Sequence, residues 1–371
     1  MRIARRLELD VLRYLPFVTR GLRSSGPPIH LTVFVTGQCN LRCRHCFHWR
    51  EVAEGVVGPS LENIQRLADS SARMGPLLWV SLGGGEPFLR KDLVEVGSAF
   101  ARHGLRHLAI PTNGLLPDRA EAFAEELLAR HPDLHLSLSI SFDGPPDVHD
   151  AIRDVAGGHA RSMECVRQLK RLQERLPRLG VGVLVCVTRE NQDVLADHVT
   201  ELVRDLRPDN VTVNLARGDA LDRTLLDVDI ARYEDVVAVK RRLQERGDLP
   251  YFDIPMARVA RARDDLMYEH VARVARGENA AKHLPCTAGT VSAVVFENGE
   301  VRACEILPDA IGNLNEVGWD LEKLWSAKAA RDLRERIEST RCACTWECAQ
   351  ADNVLFNARA WPELAWRAVR G

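Results

Sequence analysis

Short apolar runs alternate with stretches of helical periodicity over most of the chain. Apolar runs bounded by turn residues are typical of buried strands, and six occur, at 31–35, 77–82, 107–110, 134–141, 181–187 and 211–215. Between these runs, apolar positions recur at helical spacing, over 61–74, 92–103, 117–131, 160–176, 191–206 and 230–246. Six βα units of roughly 30–40 residues predict a parallel sheet with right-handed crossovers, which either stays open or curls toward a barrel.

Polar and glycine-rich residues follow each of the six predicted strands. In chain order they are Cys39 to Cys46, then Gly84, Gly85 and Glu86, then Asn113, then Ser141 and Asp143, then Thr188, and finally Asn214 and Ala216. The carboxyl ends of the strands of a parallel barrel share one rim, where ligands bind, and glycine lets the backbone approach a ligand closely. Because polar or glycine residues follow all six strands, the pattern favours a ligand-binding rim over ordinary connecting turns.

Three cysteines, Cys39, Cys43 and Cys46, lie within eight residues on the loop after the first strand. Three thiolates can hold three corners of an iron–sulfur cubane that normally takes four. The remaining iron then keeps an open position, where chemistry occurs. The alternative is a zinc site built from the three cysteines with His45 or His48. The spacing alone leaves both kinds of site open.

Composition narrows the class of protein. Of 371 residues, 46% are hydrophobic and 27% are charged, as in ordinary globular proteins. Fifty Lys and Arg against 52 Asp and Glu give a net charge of −2, which suggests no nucleic acid or other polyanion as partner. No apolar window is long enough to span a bilayer, and the N-terminus lacks a secretory cleavage pattern. The ten cysteines are therefore not expected to form a disulfide framework, and the clustered ones are interpreted as metal ligands in a reducing, cytoplasmic compartment.

Residues 1–28 predict a short amphipathic helix before the first strand. Apolar residues recur at helical spacing from Ile3 to Val18, and five arginines lie among or just beyond them. Such a helix can make a peripheral contact with an anionic membrane surface. The alternative is a helix packed on the body of the protein with a solvated arginine face, which Pro16 and the modest amphipathicity favour.

A second group of five cysteines follows a predicted helical linker. The sequence around Asn298-Gly299 predicts a β-hairpin, with Cys286 before it and Cys304 at its end. A helix follows, and after it come Cys342, Cys344 and Cys348. Four of these thiolates can fill one cubane. The alternative is a structural zinc ribbon that uses the same cysteines.

Residues 30–220 resemble the radical S-adenosylmethionine (SAM) enzymes. That family carries a Cys-x3-Cys-x2-Cys loop after the first strand of a partial (β/α)6 barrel, and a Gly-Gly-Glu-Pro motif one unit later. Here these are Cys39, Cys43 and Cys46, followed by residues 84–87. The resemblance implies a [4Fe–4S] cluster whose unique iron binds the amino and carboxylate groups of SAM. Reductive cleavage then gives methionine and a 5′-deoxyadenosyl radical, which abstracts a hydrogen atom from the substrate.

The resemblance also implies roles at the rim. Gly84, Gly85 and Glu86 suit the amino group of SAM, and Arg153 suits its carboxylate, although a plain surface arginine is the alternative. The implied ribose contacts are Ser141 and Asp143, and the implied adenine contacts are Thr188, Asn214 and Ala216, with Asn113 completing the cofactor set. The implied partner is an external one-electron reductant of the flavodoxin or ferredoxin type.

The second cysteine group resembles the SPASM/twitch extension that carries auxiliary clusters in some radical SAM enzymes. The matching residues are Cys286-x12-Gly299-x4-Cys304 and the following Gly312-Asn313-Leu314. A full SPASM set needs more cysteines, so the resemblance implies a twitch-like domain with one auxiliary [4Fe–4S] cluster. Its expected ligands are Cys286, Cys304 and Cys348, with Cys342 and Cys344 competing for the fourth place. The other two cysteines, Cys165 and Cys186, are expected in the core.

Glu305 directly follows the second hairpin cysteine, Cys304. In sulfatase-maturating relatives a carboxylate at this position takes up a proton during substrate oxidation. The resemblance therefore implies that Glu305 is a catalytic base, and the alternative is a solvent-facing glutamate.

These features predict an α/β protein with a partial (β/α)6 TIM-like barrel at 29–250 and a small α+β twitch/SPASM-like auxiliary-cluster domain at 283–350. An N-terminal helix (1–28), a helical linker (251–282) and a helical tail (351–371) complete the chain. We expect a radical SAM oxidoreductase that dehydrogenates or epimerises a small-molecule, lipid or sugar-type substrate, because few residues precede the barrel for peptide recognition. The alternatives are a ribosomal-peptide maturase and, in another class, a non-catalytic metal-binding module.

Overall fold

The computed structural model of the chain describes residues 14, 16–17, 26–254, 256–279 and 284–370. The amphipathic helix expected over residues 1–28 lies outside these ranges, apart from Tyr14, Pro16, Phe17 and residues 26–28. No helix in the described ranges is long and apolar enough to cross a bilayer.

One nine-stranded sheet dominates the fold. Its strands are β1 (His30–Thr36), β2 (Trp79–Gly84), β3 (His107–Thr112), β4 (His135–Ser141), β5 (Leu179–Val187), β6 (Asn210–Leu215), β7 (Ser292–Val295), β8 (Glu300–Arg302) and β9 (Ala310–Asn313). Their order across the sheet is β6-β5-β4-β3-β2-β1-β7-β8-β9. Strands β1 to β6 are parallel neighbours in chain order, which confirms the predicted α/β class.

Helices connect the parallel strands and continue into the C-terminal part. They are α1 (Trp49–Glu54), α2 (Leu61–Met74), α3 (Leu93–Ala101), α4 (Pro117–Arg130), α5 (Pro146–Arg153), α6 (Gly158–Gln173), α7 (Leu195–Leu206), α8 (Ile230–Arg246), α9 (Ala257–Ala275), α10 (Leu321–Trp325), α11 (Lys328–Ser339), α12 (Glu347–Leu355) and α13 (Trp361–Arg370). Helix α7 begins four residues later than the periodicity predicts, because the Asn191 side chain accepts the Thr188 N–H and closes a turn there.

Alternating strand residues give the sheet an apolar outer face and a polar inner face. The outward residues, such as Leu31, Val80 and Leu108, are fully buried in one core cluster with Ile64 and Leu67 of α2. The inward residues at one level of the barrel are register partners, namely Thr32, Ser81, Ala109, Ser137 and Gly180. The interior thus carries small and polar groups instead of the branched apolar layers of a filled barrel.

The C-terminal residues attach to both edges of the six-stranded barrel. Strand β7 pairs in parallel with β1, with His30 opposite Ser292, and β8 and β9 continue the sheet as antiparallel strands. At the other edge, Glu347 of α12 accepts the Leu215 N–H of β6 at 2.8 Å. The domain limits expected from the sequence remain a prediction, and the limit at residue 350 falls inside α12.

Aromatic side chains line the barrel interior at the amino ends of the first four strands. His30, Trp79, His107 and His135 are register partners, and the Trp79–His107 and His107–His135 ring centroids are each 5.4 Å apart. His107 is buried, and its Nε2 lies 2.9 Å from the Tyr14 hydroxyl. Burial, reinforced by His135, lowers the pKa of His107 to about 3, so this imidazole stays neutral in the folded protein.

Replacing His107 by glutamine is expected to make the protein less sensitive to acid. The pKa of His107 is about 3 in the folded protein against an ordinary 6.5. Between these values the unfolded chain binds a proton that the folded protein does not, so the free energy of unfolding falls as pH decreases, by up to about 1.4 kcal/mol per pH unit. Urea titrations at several pH values inside this window measure the slope. His103→Gln, at an exposed position, is the control, and an unchanged slope in His107→Gln contradicts the prediction.

Candidate active site at the carboxyl ends of the strands

The first three cysteines lie on the loop between β1 and α1. Cys39, Cys43 and Cys46 are half-buried free thiols. The backbone N–H of Leu41 donates to the Cys39 sulfur at 3.4 Å, and that of His48 donates to the Cys46 sulfur. Burial raises the pKa of Cys43 to about 12 and that of Cys46 to about 11. A bound metal is therefore what would hold these groups as thiolates.

Gly84 and Gly85 let the end of β2 close against the cysteine loop. The Gly85 N–H donates to the Thr36 carbonyl at 2.7 Å, and the Glu86 N–H donates to the Gln38 carbonyl at 2.8 Å. A Cβ on Gly85 would lie 2.1 Å from the Gln38 oxygen, and one on Gly84 would lie 2.2 Å from the Thr36 oxygen. Only glycine permits this approach, and Gly84 also adopts a φ of 121° that other residues avoid.

The Glu86 carboxylate is buried behind this contact. Its Oε1 accepts hydrogen bonds from the Thr112 hydroxyl at 2.8 Å and the Phe88 N–H at 3.2 Å, and its Oε2 accepts the Asn113 N–H at 2.9 Å. Burial raises the pKa of Glu86, and these hydrogen bonds act in the opposite direction. A carboxylate offers about four acceptor positions, so Oε2 retains one for the ammonium group of a ligand.

Asp143 and Arg153 form a buried ion pair beside the cysteine loop. The Arg153 Nε donates to Asp143 Oδ2 at 2.7 Å, and the Cys186 N–H donates to Asp143 Oδ1 at 3.0 Å. Burial would raise the pKa of Asp143, but Arg153 and His45 outweigh it and hold the pKa below its usual value. The Arg153 charge also acts on the thiols of Cys39, Cys43 and Cys46. The guanidinium therefore lies where it can reach a ligand bound at that loop.

The other predicted rim residues lie at the ends of β3 to β6. Asn113 donates from Nδ2 to Asn40 Oδ1 at 2.7 Å, which ties the third strand end to the cysteine loop. The buried Thr188 hydroxyl has no hydrogen-bond partner among the described residues. The remaining three complete the rim, with Ser141 and Ala216 buried and Asn214 half-buried.

Cys186 faces the barrel interior rather than the apolar core expected from the sequence. It lies opposite Asn214 in the register of β5 and β6. Its thiol has a raised pKa because it is buried, and the charges of Asp143 and Arg217 act on it. Cys165, by contrast, is fully buried in the core cluster. Strand periodicity could have revealed the difference, because Cys186 shares its face with Thr188.

Four cysteines of the second group gather at the end of the β7–β8 hairpin. The sulfurs of Cys286 and Cys342 are hydrogen-bonded, which lowers the pKa of Cys342 to about 7. Cys344 interacts electrostatically with both Cys304 and Cys342. The Leu307 N–H donates to the Cys304 sulfur at 3.4 Å. These thiols form one group that could serve as cluster ligands: Cys286, Cys304, Cys342 and Cys344.

Cys348, which the sequence put ahead of Cys342 and Cys344 as a ligand, lies in different electrostatic surroundings from those four thiols. Its side chain is exposed. Desolvation of the thiol by the protein around it raises its pKa to about 12, and the charges that act on it most strongly belong to Glu305, Arg217 and Glu347 rather than to another cysteine. Cys348 lies in the first turn of α12, whose Glu347 is hydrogen-bonded to β6, and its place in the ligand set stays a prediction.

Glu305 and Arg217 lie close enough to Cys348 for their charges to act on its thiol. Burial raises the pKa of Glu305 to about 8, and the Arg217 charge opposes the shift. Arg217 forms an ion pair with Glu347 and donates to the Leu215 carbonyl at 3.0 Å. Its Nε has no partner among the described residues. The sequence patterns identified neither Glu347 nor Arg217 as a site residue.

A buried His48–Glu297 pair joins the cysteine loop to the hairpin. His48 Nε2 lies 2.8 Å from Glu297 Oε1, and the two residues are 3% and 4% exposed. The rings of Phe34 and Phe296 lie 4.7 and 6.2 Å from the imidazole. Glu297 Oε2 has no partner among the described residues. Removing His48 would therefore leave the Glu297 carboxyl buried without compensation. Removing Glu297 would leave His48 only the contact of its Nδ1 with Glu51 Oε2, at 3.4 Å.

Glu297→Leu is expected to lower the free energy of unfolding by about 1–3 kcal/mol, because it leaves the Nε2 of His48 buried without its hydrogen-bond partner. Glu297→Gln keeps a hydrogen-bonding side chain of the same shape and should cost clearly less. Urea denaturation of both variants gives the comparison, with Glu316→Gln as the control on the exposed surface. Equal losses in the Leu and Gln variants would show that the pair contributes no more than packing.

The donor sets fit the cofactors that the sequence resemblance implies. The first loop offers three thiols, which leaves one iron of a cubane free, and the second group offers four. Beside the first loop, Glu86 Oε2 and Arg153 suit the ammonium and the carboxylate of an amino acid. Within the described ranges, no three His, Cys, Asp or Glu side chains are arranged as ligands of a single metal ion.

A protein-family model and two named proteins are similar to this chain in sequence. The family model of the Radical SAM superfamily matches residues 33–202. The PqqA peptide cyclase of Rhodopseudomonas palustris is 31% identical over 226 residues, which cover 60% of this chain and 56% of that enzyme. The antilisterial bacteriocin subtilosin biosynthesis protein AlbA of Bacillus subtilis is 26% identical over 341 residues, 89% of this chain and 68% of AlbA. The chain thus spans little more than half of the cyclase.

Comparison by structure gives the same fold. The crystal structure of Streptococcus suis SuiB bound to its precursor peptide SuiA has a TM-score of 0.61 at 14% identity, and the match covers 88% of this chain and 71% of SuiB. The match extends well beyond the six βα units. The superfamily model covers the cysteine loop and the Gly-Gly-Glu-Pro motif together, so residues 33–202 form a radical SAM domain.

Proposed function

We propose that the protein is a radical SAM enzyme that modifies a peptide at an unactivated C–H bond. The observation that carries the proposal is the similarity to AlbA, a protein named for bacteriocin biosynthesis, because it covers 89% of the chain and so extends beyond the barrel. The PqqA peptide cyclase supports the same substrate class. This reverses the preference for a small molecule that the sequence suggested, and it counts against a non-catalytic metal-binding module.

Cys39, Cys43 and Cys46 would hold the cluster that binds SAM, with Gly84, Gly85, Glu86 and Arg153 around the amino acid part of SAM. When bound, this cofactor pair supplies a 5′-deoxyadenosyl radical for hydrogen abstraction. The protein's own contribution is positioning. The Arg153–Asp143 pair fixes the guanidinium, and the close contact of the β2 end with the cysteine loop keeps water from the buried carboxylate of Glu86.

The second group would hold one auxiliary cluster through Cys286, Cys304, Cys342 and Cys344. Glu305 directly follows Cys304, and its raised pKa of about 8 puts proton exchange close to neutral pH. An ionised carboxylate with this pKa binds a proton more strongly than an ordinary one, so the ionised form of Glu305 is suited to accept the proton that a substrate loses on oxidation. Arg217 lies close enough to stabilise the carboxylate before that proton arrives.

The rim also offers apolar surface that suits a peptide. Val57 and Leu221 are among the most exposed large apolar side chains in the described part of the chain, at 72% and 45%. Both segments are hydrogen-bonded to the cysteine loop region, since the Gly37 N–H donates to the Val56 carbonyl at 2.8 Å and the Leu221 N–H donates to the Cys46 carbonyl at 3.2 Å. An extended apolar chain could lie between them.

The substrate class is tested with extracts of the source cells grown in heavy water. The reconstituted enzyme, SAM and a reductant are added to two halves of one extract, of which one has first been digested with a protease that is then inactivated. A peptide substrate predicts deuterium in 5′-deoxyadenosine from the undigested half and its loss after digestion. Equal deuterium transfer from both halves would sink the peptide assignment.

Cysteine variants test the ligand assignment. The wild-type chain should bind about 8 Fe after anaerobic reconstitution, and the Cys39/Cys43/Cys46→Ala triple variant about 4 Fe, without SAM cleavage. Cys344→Ala should lose the auxiliary cluster, whereas Cys348→Ala should keep both clusters. Iron and sulfide analysis decides, and iron loss in Cys348→Ala with none in Cys344→Ala would restore the ligand set expected from the sequence.

SAM affinity tests the two charged groups near the first loop. Glu86→Ala and Arg153→Ala should each weaken SAM binding by about 1–3 kcal/mol, because each removes a charge-assisted hydrogen bond. Equilibrium binding to the reconstituted protein measures the effect, and the iron content should stay at the wild-type value. Unchanged SAM affinity in Arg153→Ala would leave that residue only its ion pair with Asp143.

A further inference from the structure

An aromatic pair connects the two cysteine loops. Phe47 directly follows Cys46, and Trp346 lies two residues after Cys344. Their ring centroids are 5.4 Å apart at an interplanar angle of 87°. The backbone N–H of Trp346 donates to the sulfur of Cys344. A route from the first cysteine loop to the second cysteine group through this pair therefore includes one contact between rings and one hydrogen bond. Its other links are covalent bonds.

The surroundings of the pair are built to keep the rings in contact. Gly218 has a φ of 77°, and a Cβ there would lie 3.1 Å from the Cβ of Phe47. Trp346 is 7% exposed. On one face of the indole, the Arg217 guanidinium carbon lies 3.9 Å from the ring centroid. The Phe34 ring lies 6.5 Å from that of Phe47 on the barrel side. The contact is thus packed without room for water between the rings.

We propose that Phe47 and Trp346 form the electron path between the auxiliary cluster and the SAM-binding cluster. The inference rests on the proposed function, because it requires both clusters. In the step itself, a reduced auxiliary cluster loses one electron and an oxidised SAM-binding cluster gains it, and no proton or bond changes hands. The electron comes from the oxidised substrate, or from an external one-electron reductant when the cycle begins.

Arg217 lies over the Trp346 indole and affects whether that ring can lose an electron. A cation over the face of an indole is attracted by the ring and disfavours the removal of an electron from it. Trp346 therefore stays closed-shell, and the electron passes through the packed rings without an indole radical as an intermediate. Glu347, which pairs with Arg217, keeps the cation in place.

If the Phe47–Trp346 pair carries electrons, changing it slows electron exchange between the two clusters, whereas changing a mere packing contact does not. The reconstituted holoenzyme is reduced with less than one electron per chain by a light flash in the presence of a deazaflavin. Freeze-quenched samples then follow the two cluster signals by electron paramagnetic resonance. The signals are assigned with the Cys39/Cys43/Cys46→Ala variant, which retains only the auxiliary cluster.

The expected result is loss of the fast exchange phase in Phe47→Leu and in Trp346→Leu, with the phase retained in Trp346→Phe. Trp366→Leu, on the exposed face of α13, should behave as wild type. The midpoint potentials of both clusters and the iron content should be unchanged in all four variants. The potentials matter here because a shift in driving force would also change the rate.

Two results overturn the electron path. One is an unchanged exchange rate in both leucine variants. The other is loss of iron in Phe47→Leu, Trp346→Leu and Trp346→Phe alike, which would make the pair a packing contact. A wild-type chain that binds iron for a single cluster would instead refute the two-cluster assignment of the proposed function, so the two failures are distinguishable.

Discussion

The site depends on the close approach of the β2 end to the cysteine loop. Two backbone hydrogen bonds, from Gly85 to Thr36 and from Glu86 to Gln38, hold these segments together. They form only because Gly84 and Gly85 carry no Cβ. The same contact buries the Glu86 carboxylate, which in turn binds the end of β3 through Thr112 and Asn113. Three strand ends are thus fixed around one ligand position before any cofactor binds.

The C-terminal part completes this site from both sides of the barrel. On one side, β7 continues the sheet from β1 and brings Glu297 to His48, next to the first cysteine loop. On the other side, Glu347 binds the backbone of β6 and the side chain of Arg217. Because both cysteine loops are tied to the same sheet, the space between them has a fixed shape. Glu305, Cys348 and Arg217 share that space, where a substrate would meet both loops.

Much of this fold follows from local pattern. The six parallel strands and the hairpin around Asn298-Gly299 could be predicted because each is set by residues close in sequence. The pairing of β7 with β1 could not, since its partners lie more than 250 residues apart and neither strand carries a local sign of the other. Likewise, the sequence motifs identified Glu86 and Arg153 as candidate site residues but not Glu347. Glu347 binds the backbone of the edge strand β6, and no local motif shows that contact. The choice among Cys342, Cys344 and Cys348 as cluster ligands stays a prediction, because spacing does not show which way a helix turn faces.

The two cysteine groups differ in the number of thiols they offer, so one loop would leave an iron open for SAM while the other group would complete its own cubane. Mössbauer spectroscopy of protein reconstituted with iron-57 distinguishes these iron sites. We expect two [4Fe–4S] clusters, of which one iron in about eight changes its signal when SAM is added and the rest do not. A spectrum of a single cluster, or one in which SAM changes no iron site, would contradict this assignment.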